Sequence, residues 1–196
     1  PNQPQGNTAF MSALIQTRAL TRMDERRQVP LLQPTDFTLN AGDRVSITGS
    51  SGSGKSVFLR ALALLDVPSS GQILWNGQPI SNAEIPHYRC HISYLSQRPA
   101  LLEGTVEDNL RFPFSLKTSR KRRFDLAAVT TLLGHSGKAP DFLAKSAADL
   151  SGGESQVVSL IRTLQLNPEV LLLDEPTAAL DPTSSREVEA LIDAWF

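Results

Sequence analysis

The chain has 196 residues, 40% of them hydrophobic, enough to bury one sizeable core. Its 19 Lys and Arg against 20 Asp and Glu leave it nearly neutral, which excludes the broad basic footprint of a general nucleic-acid binder. The lone Cys90 excludes an internal disulfide, no apolar run reaches membrane-spanning length and Pro1 to Gly6 is too polar for a signal peptide, so an intracellular, water-soluble single domain is expected.

Residues 1–10, rich in Pro, Gln, Asn and Gly, read as a disordered lead-in. Asp36 to Asn40 alternates as a strand does, and Asn40-Ala-Gly-Asp43 turns the chain into a second alternating, β-branched stretch, Asp43 to Thr48. Then comes G-x-x-x-x-G-K-S, from Gly49 to Ser56, followed by Phe58, Leu59, Leu62, Ala63 and Leu65 at helical spacing, which predicts a helix over Lys55 to Leu65. A glycine-rich turn between strand and helix lets successive N–H groups converge on phosphate oxygens, and the helix N-terminus adds partial positive charge. In such a loop Lys55 reaches the β- and γ-phosphates and the Ser56 hydroxyl ligates Mg²⁺. The bland alternative is a flexible Ser/Gly loop, against which the complete spacing and its flanks weigh.

Gln72 to Trp75 with a turn at Asn76-Gly77 predicts a hairpin. His87-x-x-Cys90-His91 offers three metal-ligating side chains without matched partners elsewhere, and reads as coincidence. Ile92 to Ser96 is a further strand, ending at Gln97. From Glu103 to Leu150 the pattern turns helical: Thr105-x-x-Asp108 resembles a capping box, and Phe124 to Leu133 runs to Gly134. Two apolar groups near its start, Leu101-Leu102 and Phe112-Pro113-Phe114, suit either a docking surface for a membrane-protein helix or the core of this helical part. Lys117 and Arg120 to Arg123 read as a solvated face rather than a lipid or nucleic-acid contact.

Leu150-Ser151-Gly152-Gly153-Glu154 precedes Val157, Val158, Leu160, Ile161 and Leu164 at helical spacing, so a second helix N-terminus offers an anion site; an ordinary Ser N-cap is the competing reading. Val170 to Leu173 is a continuous apolar run too short for a helix, hence a strand buried in a parallel sheet. At its carboxyl end, where such sheets bind ligands, Asp174 is placed to hold Mg²⁺ through water and Glu175 to polarise an attacking water; alone, the pair could equally be solvated loop carboxylates. Ser184-x-x-Glu187 then caps an amphipathic helix carrying Val188, Leu191, Ile192 and Trp195. No internal repeat is present.

In this order the motifs resemble the ATP-binding-cassette superfamily, and the resemblance covers nearly the whole chain. Gly49 to Ser56 looks like its Walker A motif, Gln97 its glutamine loop, Leu150 to Glu154 its signature, Val170 to Glu175 its Walker B and Ala179-Leu180-Asp181 its D-loop. The resemblance implies an α/β P-loop (RecA-like) core at residues 11–98 and 155–196, with a mainly parallel sheet, an N-terminal antiparallel β part and an inserted helical subdomain at 99–154. It implies that ATP is held by Gly49, Ser50, Ser51, Gly52, Ser53, Gly54, Lys55, Ser56 and Val57, that Gln97 touches Mg²⁺ or the attacking water, and that Ser151 with the Gly152 and Gly153 amides contacts the γ-phosphate held by an opposite subunit. Asp181 joins the nucleotide contacts, and Lys55, Gln97 and Glu175 form the catalytic set.

Three departures stand out. Ala13 to Val29 lacks the aromatic that stacks on adenine in this family, which leaves Arg22, Met23 or Arg26 to substitute by guanidinium or thioether contact. Val157 stands where an Arg often follows the signature. Phe196 precedes the expected strand and switch histidine, so the sequence reads as a truncated chain or a weak ATPase.

The resemblance thus implies the ATP-binding subunit of an ABC transporter. Two copies, or a copy and a paralogue, close around ATP and Mg²⁺ and drive a separate polytopic permease, peripherally, at the cytoplasmic face of the inner membrane. No nucleic-acid partner is expected. Gly104 to Pro113 and Leu160 to Leu166 look most like FetA-type bacterial iron-export ATPases, which points to export, of iron or another metal. The alternatives are a non-transport ABC ATPase acting on DNA or ribosomes, for which the insertion is too short to form coiled-coil arms, and a small-molecule kinase, which leaves Leu150 to Glu154 unexplained.

Overall fold

The computed structural model describes residues 13–119 and 122–196, and the chain divides into two compact units, one up to Glu84 and one from Ile85. The expected lead-in, and Arg120 and Lys121 of the basic run, lie outside the described residues.

The first unit is built on an antiparallel sheet of order β2-β1-β3-β4: β1 Ile15–Asp24, β2 Val29–Leu39, β3 Ser70–Trp75 and β4 Gln78–Pro79. Asp24 closes the β1–β2 hairpin by accepting from the Arg26 and Arg27 amides through Oδ1 at 2.9 and 3.1 Å. The expected β3–β4 hairpin is present, and its turn residues Asn76 and Gly77 both take positive φ, 49° and 77°, matching the twist of the strands. Helix α1, Lys55–Leu62, buries Phe58, Leu59, Ala61 and Leu62, with the Phe58 ring edge-on to Phe37 of β2 at 5.4 Å. It stops one turn short of Leu65 because Leu64 turns left-handed at φ 53°.

The turn at Asn40 to Asp43 forms as expected: the Asp43 amide donates to the Asn40 carbonyl and the Asp43 carboxylate accepts from the Asn40 amide. The strand expected from Asp43 to Thr48 does not form. That stretch joins neither sheet among the described residues, and Val45 is 51% exposed. Alternation supplies two faces, but a strand also needs a neighbour's N–H and C=O groups. β1 is the converse case, a ten-residue strand not foreseen from sequence, because its apolar positions Ile15 and Leu20 fall out of step across a bulge between Thr17 and Leu20.

The second unit holds a parallel pair, β5 Ile92–Leu95 with β6 Val170–Leu173, in register Ile92↔Val170 to Leu95↔Leu173. Around it lie α2 Ile85–His91, α3 Val106–Ser115, α4 Leu126–His135, α5 Gly152–Leu164 and α6 Pro182–Trp195. One hydrophobic cluster joins β5 and helices α3 to α6 through Leu95, Val106, Leu110, Val129, Leu133, Val157, Leu160, Ile161, Val188 and Leu191. The Thr105–Asp108 capping box at the head of α3 is present in both directions. Two starts shift, by two and three positions, to place an aspartate at the cap. Helix α4 begins at Leu126, after Asp125 rather than from Phe124, and α6 is capped by Asp181, with Pro182 at its first position, rather than by Ser184. In both, a short carboxylate accepts from two first-turn amides. His91 is engaged with Glu169 at 2.8 Å, and Cys90 donates to the Pro86 carbonyl.

Candidate functional site

In the first unit the loop Gly49–Gly54 enters α1 with no side-chain cap hydrogen bond, and a helix N-terminus of this kind carries partial positive charge. Gly52 and Gly54 take φ of 78° and 92°, and a Cβ on Gly54 would lie 2.5 Å from the Leu31 carbonyl oxygen, so this position requires glycine both for its conformation and for close approach to β2. Lys55 Nζ donates to the carbonyls of Gly49 and Ser50 at 3.0 and 3.2 Å, folding the ammonium back over the loop. Arg22 pairs across the sheet with Leu32, whose Cδ1 is 3.7 Å from that same Gly54 position, so Arg22 sits one strand away from the loop. Arg22 and Met23 line a cavity of about 680 Å³ with Gln28, Asp66 and Ser69; Arg26 is not among its lining residues.

In the second unit, the parallel pairing of β5 and β6 brings Gln97 and the two carboxylates together. The Asp174 amide continues the ladder by donating to Leu95 O at 3.0 Å, and the Asp174 side chain is only 7% exposed. Tyr94 Oη donates to Asp174 Oδ2 at 2.8 Å. Gln97 Nε2 donates to Glu175 Oε2 at 3.3 Å, and Glu175 takes φ 47°, a left-handed conformation that a non-glycine residue adopts at a cost of roughly 1 kcal/mol or more. Strain of this kind persists where the surroundings over-determine it. Tyr94 was not foreseen, since its partner lies eighty residues on and only the register of two strands joins them.

Ser151 caps α5. Its Oγ accepts from the Glu154 amide at 3.2 Å, and the Glu154 carboxylate accepts from the Ser151 amide at 2.8 Å. Lys145 Nζ holds both Glu154 oxygens at 2.8 and 2.9 Å, and this ammonium, followed by the Ser151 N–H, keeps the Glu154 carboxyl below its ordinary range. The two signature glycines differ in their surroundings. A Cβ on Gly152 would meet nothing within 4 Å, whereas one on Gly153 would run into the side chain of Ser184 on α6. Ser184 Oγ in turn donates to Asp181 Oδ2 at 2.6 Å, and this hydroxyl, with the Ser184 and Thr183 amides, lowers the Asp181 carboxyl. Ser151, Gly152, Gly153 and Asp181 are thereby gathered at the adjoining heads of two helices.

The candidate metal donors, the Ser56 hydroxyl, the Asp174 carboxylate and the Gln97 amide oxygen, are all hard oxygens, the set that Mg²⁺ takes rather than zinc or copper. Leu102 and Phe112 are 44% and 41% exposed, while Leu101 packs on the core cluster, Pro113 is buried and the Phe114 ring is edge-on to Phe124. Core packing thus holds for Leu101 and Pro113, while Leu102 and Phe112 remain exposed.

Residues 32–178 match the family described as ABC transporter. The chain is 40% identical to Protein STAR1 of Oryza sativa subsp. japonica, covering 96% of this chain and 54% of the relative. It is 43% identical to the probable iron export ATP-binding protein FetA of Escherichia coli K12, covering 84% and 72%, and 37% identical to the methionine import ATP-binding protein MetN 1 of Pseudomonas putida, covering 85% and 50%. The chain therefore spans about half the length of two of these three relatives. Among solved structures it is similar to cbiO1 of Clostridium perfringens, part of the ABC transporter complex cbiONQ, with a TM-score of 0.76 at 25% identity over 94% of this chain and 74% of that one. The fold is the ABC ATPase form of the P-loop α/β class: an antiparallel N-terminal sheet, a parallel sheet and packed helices.

Proposed function

This chain belongs to the ABC transporter family, and we propose that it is the ATP-binding and hydrolysing subunit of a transporter that drives a separate polytopic permease from the cytoplasmic face of the membrane. The observation that carries hydrolysis is the Gln97–Glu175 hydrogen bond beside the buried Asp174 at the ends of two parallel strands. An amide and a carboxylate so arranged can share one water molecule, orienting it for in-line attack on a terminal phosphate.

Lys55 and the loop amides from Gly49 to Val57 hold the phosphoryl oxygens. For Lys55 this means exchanging two carbonyl acceptors for anionic oxygens, a gain in hydrogen-bond strength. Ser56 and Asp174, the latter through water, with Gln97, would hold Mg²⁺, which neutralises charge on the β- and γ-phosphates. Arg22 or Met23 carries the base, a reading supported by the cavity they share and by the register that sets Arg22 beside the loop-facing Leu32. Ser151 and the open Gly152 offer a second helix head to the γ-phosphate of a nucleotide on a mate, and Asp181 joins that interface. Export, of iron or another metal, rests on the similarity to FetA; MetN 1, named for import, is similar too, so direction follows the permease.

Glu175→Gln tests the hydrolytic role. A group that orients water acts mainly in the transition state, so the variant should bind ATP as the parent does and accumulate as an ATP-bound dimer with turnover reduced at least ~100-fold. Parental turnover would remove Glu175 from catalysis.

A further inference from the structure

Ser184 has no part in the chemistry described above, yet it occupies the junction of two of its components. Its side chain fills the notch left by the missing Cβ of Gly153, with Ser184 Cβ 2.5 Å and Ser184 Cα 3.8 Å from where that atom would stand. Its hydroxyl donates to Asp181 Oδ2 at 2.6 Å, while Asp181 Oδ1 caps α6 through the amides of Thr183 and Ser184. On the other side of the notch, Ser151 and Glu154 cap α5 reciprocally, and Lys145 pins Glu154. The first turn of α5 is therefore held from two directions, and only Gly152 faces open space.

We propose that Ser184 is a positioning residue that locks the Asp181 carboxylate to the signature end of α5, so that the two present themselves to a mate's nucleotide as one rigid edge. Two physical facts support the lock. The notch accepts a side chain only because residue 153 is glycine, which makes the fit steric and specific to the pair. The hydroxyl engages the Asp181 oxygen that does not serve the cap, so the same carboxylate is fixed at both of its atoms by the residue that fills the notch in α5. Loss of either contact leaves both helices in place, through the core residues Val157, Leu160, Ile161, Val188 and Leu191, while freeing the edge.

The proposal rests on the reading that Ser151 and Gly152 meet a nucleotide on a mate. It is tested in the full chain carrying Glu175→Gln, by sedimentation across an ATP titration, with ATP binding at low protein concentration measured calorimetrically alongside. Ser184→Ala removes the hydroxyl and keeps the packing; it should raise the ATP concentration for half-maximal dimerisation about fivefold or more, without changing ATP affinity. Gly153→Ala, which drives a methyl into Ser184, should weaken dimerisation further. Adding Ser184→Gly should then recover dimerisation to the level of Ser184→Gly alone, since only the Cα at 3.8 Å remains in the way. Dimerisation of Ser184→Ala at parental ATP, or no recovery in the double variant, overturns the lock. Ser151→Arg in the same background separates the two ideas. A dimer that persists there refutes the mate-nucleotide reading itself; a dimer lost there but unaffected by Ser184→Ala refutes only the role of Ser184.

Discussion

Asp174 shows how much of a site can be read from residue order and how much needs a fold. Its place after a four-residue apolar run foretold a carboxylate at a strand end, and it is there, 7% exposed. The group that orients it was illegible, because Tyr94 lies on another strand and the pairing Tyr94↔Leu172 fixes the distance. A buried carboxylate held by a phenol keeps a defined orientation. Tyr94→Phe, which removes the hydroxyl and keeps the ring, is expected to raise the Mg²⁺ concentration for half-maximal hydrolysis roughly three- to tenfold, the worth of one ordinary hydrogen bond. Metal-free ATP binding should stay as it was. Superimposable Mg²⁺ titrations would leave Tyr94 a packing residue. The glycines give a similar contrast: Gly153 and Gly152 are adjacent letters, and only the neighbouring helix tells that one is filled by Ser184 and the other is open.

At the scale of elements, ends were easier to foresee than partners. Capping depends on residues three apart, so Thr105–Asp108 was legible, and Ser151–Glu154 proved to be the ordinary N-cap considered beside the anion reading; a capping helix head and an anion-binding one are compatible. The strand expected at Asp43 to Thr48 failed for the opposite reason: alternation is local and a ladder is not. Helix α5 also carries a testable link to pH. In the folded chain Glu154 is held below its ordinary range, first by the Lys145 ammonium and then by the Ser151 N–H. A depressed folded value means the carboxylate stabilises the fold above the unfolded glutamate pKa of about 4.3, and that this contribution disappears as pH falls through the lower, folded value. Glu154→Gln should therefore melt below the parent at pH 7, and the gap should be narrower in melts taken near pH 3. A gap of equal size at both values would mean that the ionised form contributes nothing.

Across the whole molecule, the described residues contain no helix long and apolar enough to cross a membrane. On the proposed function, the chain offers a surface to a permease. Leu102 and Phe112 suit that role because they are exposed apolar side chains on an anchored scaffold. Leu102 is clamped through its backbone, its N–H donating to Asn109 Oδ1 at 2.8 Å and its carbonyl accepting from Asn109 Nδ2 at 3.0 Å. The neighbouring Ala100 carbonyl accepts from Arg162 of α5 at 2.8 Å, and Phe112 follows Asn109 by one turn of α3. Such side chains hold their positions before a partner arrives, so little ordering entropy is lost on contact. Sequence alone left docking and core packing level for this region, because an apolar residue in a helical stretch suits both; the fold assigns Leu101 and Pro113 to the core and leaves Leu102 and Phe112 exposed. The expectation is that the chain co-purifies with a polytopic membrane protein from detergent extracts, and that Phe112→Asp together with Leu102→Asp reduces this recovery at least ~10-fold while ATP affinity stays parental. Recovery unaffected by both substitutions would place the contact elsewhere on the chain. Association with nucleic acid or ribosomes in place of a membrane protein would turn the functional reading to the non-transport class, against which the near-neutral charge of −1 already weighs.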